Sequence, residues 1–148
     1  MMEKIQAMQK NDIDAVVKMA QILYCEDNSK MLKNEFDAIL ASDKDIVFVA
    51  KNADEIIGFL QMALRFEYVE GAVAPPVGYM EGIYVSPAHR KQQVACRLTQ
   101  AGEEWAKGKG CKQMASDTEI ENPISQHFHQ KIGFKEVSRI VTYIKDIN

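Results

Sequence analysis

Two acidic residues, Glu81 and Asp117, occur within or directly after runs that are typical of β-strands. An isolated acidic residue in a strand usually faces solvent. Here, however, the strand that contains Glu81 and the strand that ends near Asp117 are joined by a helical segment, which predicts that they are parallel neighbours. Their carboxyl ends then meet at one edge, and two carboxylates at one edge could hold a cation or accept a proton.

A basic loop follows the strand that contains Glu81. The stretch SPAHRKQQVA places Arg90 and Lys91 directly before a helix that lacks the usual Ser, Thr, Asp or Asn cap. The first backbone N–H groups of a helix are unpaired, and they bind anions readily. The loop therefore indicates an anion site that would suit a diphosphate, although a solvated basic turn would have the same composition.

Size and composition restrict the class of protein. The chain has 148 residues, of which 47% are apolar, and this predicts one domain spanning residues 1–148. A formal charge of −3 argues against a nucleic-acid surface and is compatible with a small cationic ligand. Cys25, Cys96 and Cys111 are widely spaced, which predicts no metal site and no disulfide framework, and indicates a cytoplasmic protein. The charged N-terminus predicts no signal peptide and no membrane span.

Periodicity predicts an α+β fold with a mixed sheet of about seven strands and about four helices, in the order β-α-α-β-β-β-α-β-α-β-β. The first helix lies in NDIDAVVKMAQILY, capped by Asn11 or Asp12, and the second begins at Ser29 as its cap. A helix from Gln93 to Lys107 and another from Pro123 to about Lys131 follow. The predicted strands are residues 3–8, DIVFVA, IIGFLQMALRFEY, YMEGIYV, KQMASDT, FKEV and RIVTYIKDI.

The stretch VSPAHRKQQVACRL resembles the coenzyme A pyrophosphate loop of the GCN5-related N-acetyltransferases (GNAT). Arg90, Val94 and Ala95 match the pattern of that family, whereas Gln93 stands where the family most often has glycine. If the backbone of Gln93 is helical, its N–H can still donate to a ligand. The order of elements is also similar to the GNAT fold over essentially the whole chain.

Further stretches narrow the resemblance. RFEYVEG, PVGYMEGIYVSPAHR, GCKQMASDT and the spaced residues of EN-ISQ-HQ-IGF are similar, in order and spacing, to bacterial aminoglycoside 6'-N-acetyltransferases. The resemblance implies an enzyme that uses acetyl-CoA and confers resistance by direct attack of the antibiotic's 6'-amine on the thioester. It also implies that Asp117 and Glu81 bind this amine and remove its proton, with Asp117 the first candidate for the general base.

The same resemblance assigns residues to the cofactor. The backbone of Ile83, Tyr84 and Val85 would pair with the pantetheine arm, as an added strand would. Asn122 would bind the same arm, although it could equally cap the following helix. His129 stands where many relatives have a tyrosine that protonates the departing thiolate, and the alternative for a single histidine on a helix is a structural role. The residues expected at the diphosphate are Arg90, Lys91, Gln92, Gln93, Val94 and Ala95.

The substrate residues are Tyr24, Tyr68 and Glu70, which would line a polycationic pocket together with Glu81 and Asp117. Tyr24 stands where relatives often have tryptophan, and Ser138 stands where some have an acidic residue. These two departures leave the identity of the amine substrate undetermined. The alternatives are a GNAT enzyme for a polyamine, amino sugar or peptide amine, and a binding module for acyl-CoA without catalysis. We expect a homodimer, to which the apolar AVAPPVG loop and the final strand would contribute.

Cys96 and Cys111 are not expected to act as nucleophiles. Acetyl transfer from a thioester to an amine needs no covalent enzyme intermediate, and buried cysteines usually serve as small packing residues. Two carboxylates are more useful to catalysis than to simple cofactor binding, since a binding module has no evident need of a base. This difference favours the enzyme over the binding module.

Overall fold

The computed structural model describes residues 3–91 and 93–148, which form one sheet of five strands and four α-helices. The elements are β1 (Lys4–Ala7), α1 (Ile13–Tyr24), α2 (Ser29–Ile39), β2 (Asp45–Asn52), β3 (Glu55–Arg65), β4 (Val77–Val85), α3 (Val94–Gly108), β5 (Met114–Ser116) and α4 (Pro123–Lys131). Strands β1 to β4 are antiparallel neighbours in chain order, and β5 is parallel to β4. The predicted α+β class, the mixed sheet and the parallel β4-α3-β5 unit are confirmed.

Helix starts are set by local side-chain contacts. The side chain of Asn28 accepts a hydrogen bond of 3.0 Å from the backbone N–H of Met31, so Asn28 caps α2 and the predicted cap at Ser29 is wrong. Asp12 precedes α1, but its carboxylate accepts from the backbone N–H of Gln9 at 2.8 Å instead of capping the helix. Among the described residues, no helix combines the length and the apolar character needed to cross a bilayer.

The sheet separates two layers of apolar side chains. Phe59 of β3 packs edge-to-face against Phe36 of α2, with ring centroids 6.2 Å apart, on the face covered by α1 and α2. Leu60, the next residue, lies on the opposite face with Leu98 of α3, because successive strand residues point to opposite faces. β3 is thus covered on both faces, and it provides a rigid support for β4, its neighbour.

The predicted count of about seven strands is wrong for the described chain. The strands expected around FKEV and RIVTYIKDI are absent: residues 134–148 form no helix or strand, and residues 135–148 are all exposed. The cause is a missing neighbour, since a strand needs a second strand to satisfy its backbone hydrogen bonds. The apolar pattern of this segment is nevertheless that of a strand.

Candidate active site

Strands β4 and β5 part at the edge where the candidate acids lie. They pair only from Gly78 to Met80 on β4, opposite Met114 to Ser116 on β5. Residues 81–85 of β4 continue with β3 as their only strand partner in the described part of the chain. This places one side of the backbone of Ile83, Tyr84 and Val85 at a gap in the sheet, where an extended ligand would meet unpaired strand groups.

Glu81 lies at a β-bulge that begins this gap. Met80 pairs with Met62 and Gly82 pairs with Gln61, so Glu81 is an extra residue that has no opposite partner on β3. A bulge of this kind bends the strand locally and redirects a side chain. The bulge explains how the Glu81 side chain can be partly exposed although the preceding residues of β4, Tyr79 and Met80, are buried.

The carboxylate of Glu81 forms an ion pair with Arg65 at the end of β3. The Nη2 atom of Arg65 lies 2.8 Å from Oε1, and its Nε atom lies 3.2 Å from Oε2, so the guanidinium group binds both oxygens. The side chains are 42% and 27% exposed, which places the pair at the rim of the gap. Two-point binding fixes the orientation of the Glu81 carboxylate more firmly than a single contact would.

Arg65 and Tyr79 connect Glu81 to Asp117. The guanidinium carbon of Arg65 lies 3.3 Å from the centroid of the Tyr79 ring, and the Tyr79 hydroxyl donates to the carboxylate of Asp117. Asp117 directly follows the last residue of β5. Burial, with a further contribution from the hydrogen bond to Asp117, raises the pKa of Tyr79 to about 12, so the phenol keeps its proton at neutral pH. The structure therefore brings the two predicted acids into one cluster.

Tyr24 adjoins this cluster from the end of α1. Its hydroxyl donates to the side chain of Gln61 at 2.9 Å and lies over Gly82, where a Cβ atom would come within 2.0 Å of it. Burial, followed by the negative charge of Glu81, raises the pKa of Tyr24 above its ordinary value. Gly82 is thus required for the close approach of Tyr24, and the predicted position of this tyrosine near the acids agrees with the structure.

Tyr68 and Glu70 lie in the β3–β4 loop, residues 66–76. The Tyr68 hydroxyl donates to the Glu70 carboxylate, and the Tyr68 side chain is 83% exposed. Within residues 3–91 and 93–148, neither side chain hydrogen-bonds to Glu81 or Asp117. The structure does not bring this pair into the carboxylate cluster.

The predicted diphosphate loop joins β4 to α3. The Nε atom of Arg90 donates to the carbonyl oxygen of Val85 at 2.8 Å, and its guanidinium group lies 5.5 Å from the Tyr84 ring centroid. Val94, which begins α3, is buried, and Ala95 is half-buried. Gln93 stands at the N-cap position of α3, and its side chain forms no capping hydrogen bond. Lys91 is exposed, and the predicted contact at Gln92 falls outside the described residues.

The expectation of a helical backbone at Gln93 is wrong. Gln93 has φ 64° and ψ 16°, the left-handed conformation that glycine adopts easily, and it precedes the first residue of α3. The family pattern has glycine at this position most often, and the conformation supplies the physical reason. Gln93 thus adopts a conformation that is typical of glycine although it has a side chain.

Gln93→Gly should increase the free energy of unfolding by about 0.5–1 kcal/mol. The left-handed conformation costs a residue with a side chain about 1–2 kcal/mol, and the greater freedom of glycine in the unfolded chain offsets about 0.4–1 kcal/mol of that. Denaturant unfolding measures the change. Gln100→Gly, in the exposed interior of α3, is the matched control and should lower stability by about 1 kcal/mol. Equal destabilisation by both variants would refute strain at Gln93.

Asn122 and His129 both lie on the α4 side of the site. Asn122 caps α4 by accepting a hydrogen bond of 3.1 Å from the backbone N–H of Ser125, as the capping alternative predicted. The contact of Asn122 with the cofactor stays a prediction. The Nδ1 atom of His129 lies 2.7 Å from the carbonyl oxygen of Ser125, and its Nε2 atom lies 2.8 Å from the hydroxyl of Ser116. The carbonyl oxygen of Ser125 only accepts hydrogen bonds, so Nδ1 carries a proton. The Ser116 hydroxyl also donates to the carbonyl oxygen of Met80 at 3.4 Å, and the direction of its contact with Nε2 follows the tautomer.

Arg65, Tyr79 and Ser116 were missed by the reasoning from sequence. Register on the hairpin could have found two of them, since Tyr79 pairs with Ala63, two residues from Arg65, and so lies diagonally across from it. The sequence gives no comparable indication of the bulge at Glu81, apart from the glycine that follows this residue. Ser116 stands next to Asp117 in the sequence, yet only the fold of α4 brings His129 to its hydroxyl.

Comparison with known proteins agrees with this geometry. The model of the acetyltransferase (GNAT) family matches residues 14–134. Aminoglycoside N(6')-acetyltransferase type 1 from Serratia marcescens is 37% identical over 138 residues, covering 93% of this chain and 94% of the relative. The enzyme of the same name from Salmonella typhimurium is 42% identical over 109 residues, which are 74% of this chain and 75% of the relative.

A solved structure is similar over nearly the full length. AAC(6')-Iy in complex with the bisubstrate analogue CoA-S-monomethyl-acetylneamine has a TM-score of 0.93 and 34% sequence identity, covering 98% of this chain and 99% of that chain. The family model, the curated relatives and this fold agree with one another. The chain described here belongs to the acetyltransferase (GNAT) family.

Proposed function

We propose that this protein is an acetyl-CoA-dependent N-acetyltransferase that acetylates the 6'-amine of aminoglycoside antibiotics. The observation that carries the proposal is the gap between β4 and β5, bordered by the Glu81–Arg65–Tyr79–Asp117 cluster. The curated relatives bear the name of this activity, and a similar solved chain binds an analogue that joins CoA to an aminoglycoside. Acetylation would remove one positive charge from the antibiotic and thereby confer resistance.

The gap and the start of α3 suit acetyl-CoA as the acetyl donor. Backbone groups of residues 83–85 would pair with the pantetheine arm, and an N–H in this run would polarise the thioester carbonyl. The first N–H groups of α3, which the Gln93 side chain does not cap, would face the diphosphate, with Arg90 and Lys91 adding positive charge. Asn122 is proposed to bind the arm from the other side.

Asp117 is proposed as the general base. The attacking amine must be neutral, so a carboxylate has to accept its proton, either directly or through a water molecule. The Tyr79 hydroxyl holds Asp117 in place, while Arg65 neutralises Glu81, so the two acids differ in their surroundings. We therefore assign proton removal to Asp117, and binding of substrate ammonium groups to Glu81 as well as Asp117.

His129 is proposed to return a proton to the coenzyme A thiolate through Ser116: the Ser116 hydroxyl passes its proton to the sulfur and takes one from Nε2 of His129, which keeps its proton on Nδ1 and regains the other from solvent. The Ser116 hydroxyl lies 2.8 Å from Nε2 of His129 and stands at the last paired position of β5, beside the gap. The His129 ring is held by the carbonyl of Ser125 and by the edge of Phe134, 5.3 Å away between ring centroids. This arrangement supports both alternatives for His129, because the ring is fixed by the core while one nitrogen faces Ser116.

Tyr24, Tyr68 and Glu70 are proposed to contact the sugar rings and ammonium groups. Tyr24 has the stronger support, because its hydroxyl lies beside Gly82 next to the acids. Tyr68 and Glu70 lie on an exposed loop, where they would meet the parts of a substrate that extend away from the reacting amine.

Tyr79→Phe should lower kcat about tenfold, which corresponds to about 1.4 kcal/mol of lost transition-state stabilisation. The variant keeps the ring under Arg65 and removes only the hydroxyl that orients Asp117. The KM for acetyl-CoA should stay unchanged. Tyr143→Phe removes the hydroxyl of a tyrosine that is 91% exposed and lies outside the cluster, and its kcat should stay within about twofold of the parent value. Steady-state kinetics measures both variants. An unchanged kcat for Tyr79→Phe would show that the Tyr79 hydroxyl does not orient Asp117 for catalysis.

The activity itself is tested by release of free thiol from acetyl-CoA. Kanamycin, which carries a 6'-amine, should support release, whereas paromomycin, which carries a hydroxyl at 6', should not. Release with spermidine or glucosamine alone would instead support the alternative of another small amine. Binding of acetyl-CoA with no release for any amine would support the alternative of a non-catalytic module.

We also propose a cytoplasmic location and a homodimer. The three cysteines, Cys25, Cys96 and Cys111, are free thiols, which suits a reducing compartment. The proposal includes no nucleic-acid or membrane partner. The dimer is supported by the exposed C-terminal residues.

A further inference from the structure

Arg65 binds Glu81, one of the two acids proposed to hold ammonium groups of the substrate. The guanidinium group donates to both carboxylate oxygens, through Nη2 at 2.8 Å and through Nε at 3.2 Å. Glu81 lies at the bulge that begins the gap between β4 and β5, and the Tyr79 hydroxyl joins Asp117 to the same cluster. Arg65 therefore occupies the lone pairs of Glu81 that a substrate ammonium group would need.

The ion pair of Arg65 and Glu81 adds little to the fold. It connects β3 to β4, whose backbones are already paired, and ion pairs with this much exposure contribute little to stability. The ion pair of Lys51 and Asp12 differs, since its side chains are only 18% and 5% exposed and it joins β2 to the segment before α1. The position of the Arg65–Glu81 pair is thus better explained by the site than by the fold.

Arg65 can release Glu81 without a change in the backbone. Its backbone pairs with Val77 at the last position of β3, and this pairing fixes the start of the side chain. The guanidinium group stacks on the Tyr79 ring and is partly open to solvent. Rotation about the side-chain bonds is sufficient to move it into water, and such rotations are fast.

The surroundings of the pair are rich in negative charge. Burial has the largest effect in raising the pKa of Tyr24, and the charges of Glu81, Glu35 and Asp117 raise it further, in that order. Glu35 belongs to α2 and was not selected by the reasoning from sequence. Arg65 brings one positive charge to these three acids. A polycationic ligand can replace that charge and bring further ammonium groups to the other acids.

We propose that Arg65 is an internal cation that occupies the ammonium position on Glu81 in the free protein, and that the 6'-ammonium group of the substrate displaces it before Asp117 removes the proton. Arg65 compensates the charge of Glu81 until a ligand with a positive charge at this position arrives. The inference rests on the proposed function for the identity of that ligand. Because it is tested by binding, failure of the displacement and absence of acetyl transfer are separate results.

Calorimetric titration in the presence of coenzyme A, with which no transfer takes place, tests the displacement. Arg65→Met removes the charge and keeps an apolar stem over the Tyr79 ring. Its Kd for kanamycin should be about three- to tenfold lower than that of the parent, because a two-point ion pair no longer has to be broken. Paromomycin has a hydroxyl at 6', so its Kd should change by less than about twofold.

Two further variants support the titration. Arg139→Met is the matched control, because its guanidinium group likewise binds both oxygens of one carboxylate, that of Glu136, outside the cluster. It should leave both Kd values unchanged. Arg65→Lys keeps the charge but loses the two-point contact, and its Kd for kanamycin should lie between those of the parent and Arg65→Met. An unchanged or higher Kd for kanamycin in Arg65→Met, or equal gains for both ligands, would overturn the proposal.

NMR of the parent protein with nitrogen-15 arginine observes the displacement directly. The Nε–H signal of Arg65 is identified by its absence from Arg65→Met. Saturating kanamycin should accelerate exchange of this proton with water by about tenfold, because the hydrogen bond to Glu81 that protects it is lost. An unchanged exchange rate at saturating kanamycin would show that Arg65 stays on Glu81, and would contradict the displacement.

Discussion

Asp117→Asn is expected to lower kcat by about 10²–10³, a range set by the usual contribution of general acid–base catalysis. Asparagine has nearly the same shape and can still accept the hydrogen bond from Tyr79, so the cluster should keep its geometry. It cannot accept a proton from the amine, and this is the property that the variant removes. The affinity for acetyl-CoA should stay within about twofold, because the residue lies on the amine side of the gap.

The measurement is steady-state kinetics with kanamycin, together with calorimetric titration of acetyl-CoA. Glu121→Gln is a suitable control, since it neutralises an exposed acid close to Asp117 in sequence. Its kcat should resemble that of the parent protein. An equal loss of turnover and cofactor affinity in Asp117→Asn would show that the residue supports the fold or the cofactor, and would exclude it as the base.

Arg90→Ala is expected to weaken binding of acetyl-CoA by about 10–100-fold, the equivalent of about 1.5–3 kcal/mol for a hydrogen bond to a charged group. Arg90 is held beside the start of α3 by the carbonyl oxygen of Val85 and by the face of Tyr84. Removing it takes a charge from the proposed diphosphate site while leaving Asp117 and Glu81 in place. The KM for the aminoglycoside should therefore change little.

Calorimetric titration with acetyl-CoA at two ionic strengths makes this test specific. The difference between parent and variant should shrink in high salt, because ions screen the attraction at an exposed site. Lys112→Ala, which removes an exposed positive charge outside the loop, serves as the control and should bind acetyl-CoA normally. Unchanged affinity in Arg90→Ala would contradict the assignment of the loop to the diphosphate.

Apolar periodicity was sufficient to place the two acids. It correctly predicted the β4-α3-β5 unit, and the parallel pairing of β4 with β5 puts Glu81 and Asp117 at the same edge. The connection between the acids was missed, because Arg65 and Tyr79 come from different strands and are brought together by the register of the β3–β4 hairpin, which was not worked out. A contact of this kind depends on tertiary structure and leaves no periodic signal.

The errors have equally specific causes. The predicted helix began at about Gln93, yet α3 begins at Val94 and Gln93 has φ 64° in the turn that leads into it, a conformation that is uncommon for a residue with a side chain. The last two strands were predicted from an apolar pattern that exists, but strand formation also requires a neighbour. Residues 135–148 have no strand neighbour in the described part of the chain.

The central claim is that the gap between β4 and β5 receives the acetyl carrier on backbone groups of β4 and of the start of α3. Hydrogen–deuterium exchange with and without coenzyme A tests it most directly. We predict slower exchange in peptides that contain residues 82–86 and 90–97, with α2 unchanged. Tight binding of coenzyme A that protects other segments and leaves these amides unaffected would contradict the account.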